Sequence, residues 1–287
     1  MLQAFIIVLR EVLEASLIIG IVLAASRGVP RRGLWVLAGV AAGVVGSMVV
    51  AAFAEGIAMA LEGVGQEIFN AGVLLLATVM LGWHNVWMKS HGRELSQQMK
   101  SVGQAVSAGV KPLSMLLIVV GLAVLREGSE VVLFLYGIAA GGTTPLLLWV
   151  GSLLGLAGGA ALGALMYFGL LRIPTRHLFT VTSWMILLLA AGMASQAAGY
   201  LVQAGVLPGL IEPLWNSSSW LPEGSAVGAV LHALIGYDDQ PSAMQLIFFA
   251  ITFVVIAALM HWVDRRATRG TITNSRSESR PTAPQRS

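Results

Sequence analysis

Seven long apolar stretches constrain this chain more than any other feature of its sequence. A transmembrane helix needs about 20 consecutive, mostly apolar residues. In lipid the backbone must satisfy its own hydrogen bonds, and a helix does so within a single segment. We therefore expect an all-α integral membrane protein with seven transmembrane helices. The predicted spans are residues 2–25, 34–54, 68–88, 113–139, 145–171, 178–204 and 243–263.

The low charge content excludes an ordinary soluble domain. Charged residues make up 11% of the 287 residues, whereas soluble domains carry about 25%. We expect the first span to be retained, because Arg10, Glu11 and Glu14 lie inside it and no basic residue precedes it, unlike in a signal peptide. The chain has no cysteine, which excludes a disulfide framework and a thiolate metal site.

The positive charges lie on alternate connections between the predicted spans. Of the 17 Lys and Arg residues, 15 follow spans 1, 3, 5 and 7, and the other two lie inside spans. The positive-inside rule then places the N-terminus outside and the C-terminus in the cytoplasm. Because these charges set topology, the basic balance does not indicate a nucleic-acid partner. Residues 264–287 are expected to form a disordered, basic cytoplasmic tail.

Spans 1–3 and spans 4–6 show a weak internal repeat. Leu9–Glu14 in span 1 resembles Leu125–Glu130 in span 4, and small residues recur every four positions in spans 2 and 5. Because each repeat has an odd number of spans, the two repeats have opposite orientations, as in many secondary transporters. The small residues allow close packing of helix backbones. The repeats cover about residues 2–88 and 113–204, and an extra helix follows at 243–263.

Each repeat carries an R-E-x-x-E motif near the middle of its first span. An ionisable residue at that depth costs roughly 2.5–3.5 kcal/mol, so six of them need a compensating role. Residues three and four apart share one helix face, so each Arg can brace a glutamate of its own motif. If spans 1 and 4 pack together, four carboxylates converge against two guanidinium groups, an arrangement that suits a hard cation. The candidate metal ligands are Glu11, Glu14, Glu127 and Glu130, with Arg10 and Arg126 in support.

Several weaker signals bear on access and on other activities. Acidic residues without Lys or Arg line the outer side, and such a rim attracts cations. The candidate cation-access residues are Glu67, Glu62, Asp238 and Asp239. Within the outer loop at 205–242, the segment Ser225–Gly236 is expected to form an interfacial or re-entrant helix.

The sequence lacks the motifs of other metal-binding or catalytic chemistry. None of the five histidines has a paired ligand spacing such as H-E-x-x-H, so none is expected to bind metal. The sequence has no Walker phosphate loop and no visible set of nucleophile, base and orienting group. We therefore expect neither an enzyme nor an organic cofactor.

The motifs resemble those of the oxidase-dependent iron permeases, the ferric permease family of fungi and bacteria. The hallmark of that family is R-E-x-[LG]-E in the first and fourth of seven spans. Arg10–Glu14 fits it fully, whereas the second motif has Ser129 in a slot that is not a ligand. Bacterial relatives often have a second acid at the position of Asn70. Further likeness lies in Gln66–Phe69, Trp83–Met88, Gly236–Tyr237 and Pro241–Ser242.

The resemblance implies a multi-pass permease of the cytoplasmic (inner) membrane, with a permease domain over residues 1–263. It implies import of iron, with ferric ion favoured, through the two R-E-x-x-E motifs. Implied partners are membrane lipid, the iron ion, a periplasmic iron-binding protein and a haem peroxidase. On the residues alone, two alternatives stay open: a permease for another hard or borderline cation such as lead or manganese, and a non-transport scaffold with structural ion pairs.

Overall fold

The computed structural model describes residues 1–60, 65–169 and 175–278. Within these ranges the regular secondary structure is entirely helical, as predicted. The helices are α1 (Leu2–Ala25), α2 (Arg32–Ala60), α3 (Gln66–Ser107), α4 (Ser114–Ala140), α5 (Pro145–Tyr167), α6 (Thr175–Gln203), α7 (Ala226–Ile235) and α8 (Ala243–Glu278).

Each of the seven predicted spans coincides with a helix, and α7 is the additional short one. Five helices in the described part of the chain, α2, α3, α5, α6 and α8, are long and apolar enough to cross a membrane. Helices α1 and α4 have comparable lengths of 24 and 27 residues. They are not among these five helices, because each contains the three ionisable residues of an R-E-x-x-E motif.

Two helices extend beyond the ends of their apolar segments. Helix α3 continues to Ser107 instead of ending near residue 88, and α8 continues to Glu278. Helix α8 thus covers residues 264–278 of the predicted tail, while residues 279–287 lie outside the described part, and disorder of the tail stays a prediction. No proline interrupts either extension, so the backbone hydrogen bonds continue after the hydropathy falls.

The polar extension of α3 packs on the end of α1. Val106 is buried and belongs to a small hydrophobic cluster with Val22 of α1. Gly103 lies so close to α1 that a Cβ atom there would be 2.6 Å from the Cβ of Ala25. The connection after span 3 is therefore a docked helix as far as Ser107.

Helices α1 and α5 pack closely along each other. A Cβ atom on Gly155 would lie 2.7 Å from the carbonyl oxygen of Phe5, and one on Gly159 would lie 2.8 Å from that of Leu9. The partners advance together along both chains, so the two helices are parallel. The close approach expected from the glycine ladder of span 5 is confirmed.

Helices α2 and α4 repeat this arrangement. A Cβ atom on Gly39 would lie 2.7 Å from the carbonyl oxygen of Leu117, and one on Gly43 would lie 2.8 Å from that of Gly121. This pair is therefore also parallel. The contact pattern pairs the first helix of each repeat with the second helix of the other.

Helices α3 and α6 run antiparallel through the centre of the molecule. The hydroxyl of Thr78 donates to the carbonyl oxygen of Ala190 at 3.3 Å, and the side-chain amide of Asn85 donates to that of Ser183 at 2.9 Å. The largest hydrophobic cluster lies between these two helices, α1 and α4. It contacts α1 just before the first motif and α4 just after the second, and residues of α8 also belong to it.

The outer loop contains the short helix that was predicted there. Helix α7 begins after Ser225, whose hydroxyl accepts a hydrogen bond from the Gly228 backbone at 3.0 Å. It ends at Gly236 in a left-handed conformation with φ 65°. Gly236 lies directly against Gly192 of α6, where a Cβ atom would be 2.6 Å from the Gly236 nitrogen. The loop is thereby fastened to α6.

Candidate metal site

The two R-E-x-x-E motifs meet because α1 packs against α4. Glu11 is fully buried, and Arg10, Glu14 and Glu127 are each 2% exposed. The Glu130 side chain is 15% exposed. The structure therefore brings the four predicted carboxylates into one buried cluster.

Arg10 braces both glutamates of the first motif. Its Nη1 atom lies 3.0 Å from Oε1 of Glu11, and its Nη2 atom lies 3.1 Å from Oε1 of Glu14. Because arginine presents its donors in a rigid fork, these two contacts orient both carboxylates. One oxygen of each glutamate, Oε2, is left for another partner.

Arg126 occupies a different environment from Arg10. Its Nε atom lies 3.2 Å from Oε1 of Glu130 and 4.0 Å from Oε1 of Glu127. The side chain is 35% exposed, and its guanidinium carbon lies 4.2 Å from the centre of the Trp87 ring. Only the first motif is therefore completely enclosed by protein.

The exposed face of Arg126 opens into a cavity of about 400 Å³ between α3 and α4. The cavity reaches the edge of the cluster at Glu130, the most exposed of its carboxylates. Its lining residues are Val79, Met80, Trp83, His84, Trp87, Arg126 and Glu130.

His84 of α3 lies between the two motifs and was not anticipated from the sequence. Its Nε2 atom is 3.7 Å from Oε2 of Glu11 and 3.6 Å from Oε2 of Glu14. Its Nδ1 atom contacts Oε2 of Glu130. We expected no histidine to bind metal, and the structure places His84 among the candidate ligands, so that expectation stays a prediction for the other four histidines and is reopened for His84. The missed signal was an ionisable residue inside an apolar span, since such residues usually mark functional sites.

Many buried polar atoms of this cluster have no hydrogen-bond partner within the described residues. They include both carboxylate oxygens of Glu127, the Oε2 atoms of Glu11 and Glu14, and Nε2 of His84. Buried polar atoms are normally satisfied, so a group of unpaired acceptors indicates a missing partner. A cation is the partner that several acceptors can share.

The cluster has the donor spacing of a single-ion site. Glu11, His84, Glu127 and Glu130 can each offer one ligand atom, and these atoms all lie within 4.8 Å of one another. Two ligands on opposite sides of one ion, each about 2.1 Å from it, are about 4.2 Å apart. The four carboxylates and two guanidinium groups also leave an excess of negative charge. The cluster can therefore bind a metal cation.

A second acidic group lies in the loop at 205–242, on the side that is predicted to be outer, and is called the outer group. Glu223, Asp238 and Asp239 are half-buried, and each can offer an oxygen within 4.8 Å of the others. Nδ1 of His232 lies 3.0 Å from Oε1 of Glu223. Burial raises the pKa of Glu223, His232 opposes the rise, and the two aspartates add to it.

The structure separates the predicted cation-access residues. Asp238 and Asp239 lie together in the outer group, whereas Glu67 lies exposed in the first turn of α3 and is not a member of it. The fourth residue, Glu62, lies outside the described residues.

Comparison with known sequences relates the chain to membrane permeases. A profile of the Iron permease FTR1 family matches residues 1–263. The chain is 33% identical over 276 residues to the ferrous iron permease EfeU of Escherichia coli O6:H1 (strain CFT073), covering 92% of this chain and 95% of that protein. It is 31% identical over 268 residues to ferrous iron permease EfeU of Shigella sonnei (strain Ss046), covering 89% and 92% respectively. No solved structure matches the chain.

Proposed function

The chain belongs to the iron permease FTR1 family, and from that premise we propose that it imports iron through the buried cluster of α1, α3 and α4. It is a multi-pass protein of the cell membrane and a transporter, not an enzyme. Iron is accordingly its transported substrate.

The proposed topology has seven spans, with α1–α3 and α4–α6 as inverted repeats, α8 as the extra span, and the N-terminus outside. The parallel packing of α1 on α5 and of α2 on α4 supports it, since spans of the same parity cross the membrane in the same direction. The antiparallel packing of α3 on α6 supports it equally. The positive charges on alternate connections supply the orientation.

One observation carries the proposed binding site: Glu127 is buried with neither carboxylate oxygen hydrogen-bonded within the described residues. An isolated buried carboxylate is costly unless it is paired or coordinates a metal. A purely structural ion-pair network would hydrogen-bond this group, whereas Nε of Arg126 lies 4.0 Å from its Oε1 atom, beyond hydrogen-bond distance. The scaffold alternative therefore leaves Glu127 unexplained.

In the proposed transport cycle, Glu11, Glu14, Glu127 and Glu130 supply carboxylate oxygens to the ion. Arg10 holds the first two in position by direct ion pairs, and Arg126 holds Glu130. Because the ligands come from both repeats, a rocking movement of one repeat against the other would change the side from which the ion is accessible.

Access from the outside would begin at the acidic surface groups. Glu223, Asp238 and Asp239 lie close enough together to hold a cation in passing, and exposed Glu67 adds negative charge at the start of α3. Glu62, by its sequence position, belongs to the same proposal. A periplasmic iron-binding protein and a haem peroxidase are the partners proposed to deliver iron to this surface.

The transported iron could be ferric or ferrous, and the ligands and the relatives favour different valences. The hard carboxylate ligands favour ferric ion, and this remains a prediction. The related EfeU proteins are named ferrous iron permeases. Lead and manganese are the competing substrates to test, because both accept carboxylate ligands.

The test is uptake of radioactive iron by the purified protein in liposomes of defined redox state and pH gradient. Glu→Gln variants at Glu11, Glu14, Glu127 and Glu130 should each abolish most uptake. Glu94→Gln is the matched control, since Glu94 lies exposed on α3 and contacts only Gln98 among the bonds described. Normal uptake by the four variants, at equal protein content, would refute the proposed site. Uptake of lead or manganese in preference to iron would refute the proposal that iron is the substrate.

A further inference from the structure

His84 is placed like a metal ligand and not only like an ion-pair partner. Its Nε2 atom faces Oε2 of Glu11 at 3.7 Å and Oε2 of Glu14 at 3.6 Å, beyond hydrogen-bond distance. All three atoms are buried and lack a hydrogen-bond partner among the described residues. Two ligands of a tetrahedral ion with bonds of about 2.1 Å are about 3.4 Å apart, so these separations suit a shared ion.

The other ring nitrogen of His84 has the partner that metal-binding histidines usually have. Nδ1 contacts the carboxylate of Glu130, and Arg126 holds that carboxylate from its other oxygen. A ligating histidine typically donates its second N–H to a carboxylate, which sets the tautomer and the ring orientation. With the proton on Nδ1, the lone pair of Nε2 points toward Glu11 and Glu14.

We propose that His84 is a nitrogen ligand of the transported ion and makes the site selective for borderline divalent cations over Mn²⁺ and Mg²⁺. In the geometry described here Glu130 contacts Nδ1 and would orient His84, so Glu11, Glu14 and Glu127 would supply the oxygen ligands at this stage of the cycle, and Glu130 at another. Carboxylates alone suit Mg²⁺ and Mn²⁺, whereas imidazole suits iron, nickel, copper and zinc. Exchange of one oxygen for a nitrogen thus widens the preference for Fe²⁺ over Mn²⁺.

The internal repeat shows that the second repeat has no histidine at the position equivalent to His84. The pairs Ile68 and Leu178, and Gly82 and Gly192, are both 110 positions apart (178 − 68 and 192 − 82). The same offset places Ala194 at the position equivalent to His84. The carboxylates come from both repeats, but the nitrogen comes from one. The site is therefore asymmetric in chemistry where the carboxylate motifs are symmetric.

This inference rests on the proposed function, and its test separates the two. Purified full-length protein is loaded anaerobically with Fe²⁺ and treated with nitric oxide carrying nitrogen-15, so that any nitrogen-14 signal in electron spin echo spectra comes from the protein. In parallel, liposomes measure competition between Fe²⁺ and Mn²⁺ for uptake. The variants are His84→Gln and, as control, His261→Gln, because His261 lies exposed on α8.

The wild type and the His261→Gln variant should show an imidazole nitrogen-14 signal, and His84→Gln should lose it. His84→Gln should also reduce the preference for uptake of Fe²⁺ over Mn²⁺ by about tenfold or more. A merely structural histidine would not produce the spectroscopic signal. An iron-loaded wild type without that signal, or an unchanged metal preference in His84→Gln, would overturn the inference. Either result would leave the carboxylate site standing if the glutamate variants still fail to transport iron.

Should His84→Gln fail to fold, the spectrum of the wild type decides the question alone. If the wild type transports no iron but the imidazole signal is present, the proposed function fails and the ligand assignment survives. The two hypotheses are therefore tested by different measurements.

Discussion

The guanidinium carbon of Arg126 lies 4.2 Å from the centre of the Trp87 ring, on the open side of the carboxylate cluster. Arg10, the equivalent residue of the first motif, is buried among glutamates and is 2% exposed. The aromatic ring thus takes the place of protein packing around the second arginine. It holds Arg126 over Glu130 at the edge of the cavity.

Replacement of Trp87 should therefore loosen the second motif. A cation–π contact contributes about 0.5–2 kcal/mol, so Trp87→Leu should weaken Fe²⁺ binding several-fold, while Trp87→Phe should retain most of it. Calorimetric titration of the purified protein measures the difference. Trp83→Leu is the control, because Trp83 lines the same cavity and is 73% exposed. Equal losses for both leucine variants would contradict the role of Trp87.

Glu127→Gln should separate metal binding from folding. Because the Glu127 carboxylate lacks a hydrogen-bond partner in the described structure, its neutralisation removes repulsion and leaves the metal-free protein equally or more stable. Fe²⁺ at 100 times its Kd should stabilise the wild type by about 2.7 kcal/mol, and this gain should vanish in the variant. Thermal unfolding with and without Fe²⁺ measures both effects. A large loss of stability in the metal-free variant would instead favour the structural ion-pair alternative.

The parallel contact of α1 and α5 should be intolerant of a single methyl group. In Gly155→Ala the new Cβ would lie 2.7 Å from the Phe5 carbonyl oxygen, and overpacking of this kind costs about 1–3 kcal/mol. Thermal stability in detergent, followed by size-exclusion chromatography, should fall accordingly. Gly56→Ala on α2 has open space around its Cβ and should be neutral or slightly stabilising. The model of close helix packing fails if the two variants behave alike.

The outer acidic group should make stability depend on pH. Burial raises the pKa of Glu223 above its ordinary value of 4.5, with His232 opposing and the aspartates adding to the rise. The unfolded chain therefore ionises at lower pH than the folded one, so the contribution of Glu223 to stability is complete below about pH 4.5. It is lost as the pH rises through the folded pKa.

In chelator-treated protein, the melting temperature of the wild type relative to Glu223→Gln should thus fall as the pH rises from 4.5 toward neutrality. Melting curves of both proteins across this range provide the measurement. A difference that stays constant, or that grows with pH, would contradict the raised pKa. A divalent cation at the group should reverse the trend near neutral pH, because it compensates the ionised carboxylates.

The ends of the helices show which parts of the fold can be predicted from the sequence. Apolar length predicted α1 at residues 2–25 and placed α4 within one residue at each end. It did not predict that α3 continues to Ser107, because hydropathy reports transfer into lipid and not backbone hydrogen bonding. The docking of Val106 on α1 depends on a contact between distant segments, which local hydropathy does not contain.

The site divides in the same manner. Both R-E-x-x-E motifs are visible in the sequence itself. The spacing within one helix also predicts that Arg10 can brace Glu14, because this contact depends on local geometry alone. Only the tertiary structure decided that His84 faces both motifs and that Arg126 lies open to a cavity. Those relations depend on how three helices are rotated and packed against one another. Such packing arises from contacts between segments far apart in the chain, so it cannot be predicted from any single apolar segment.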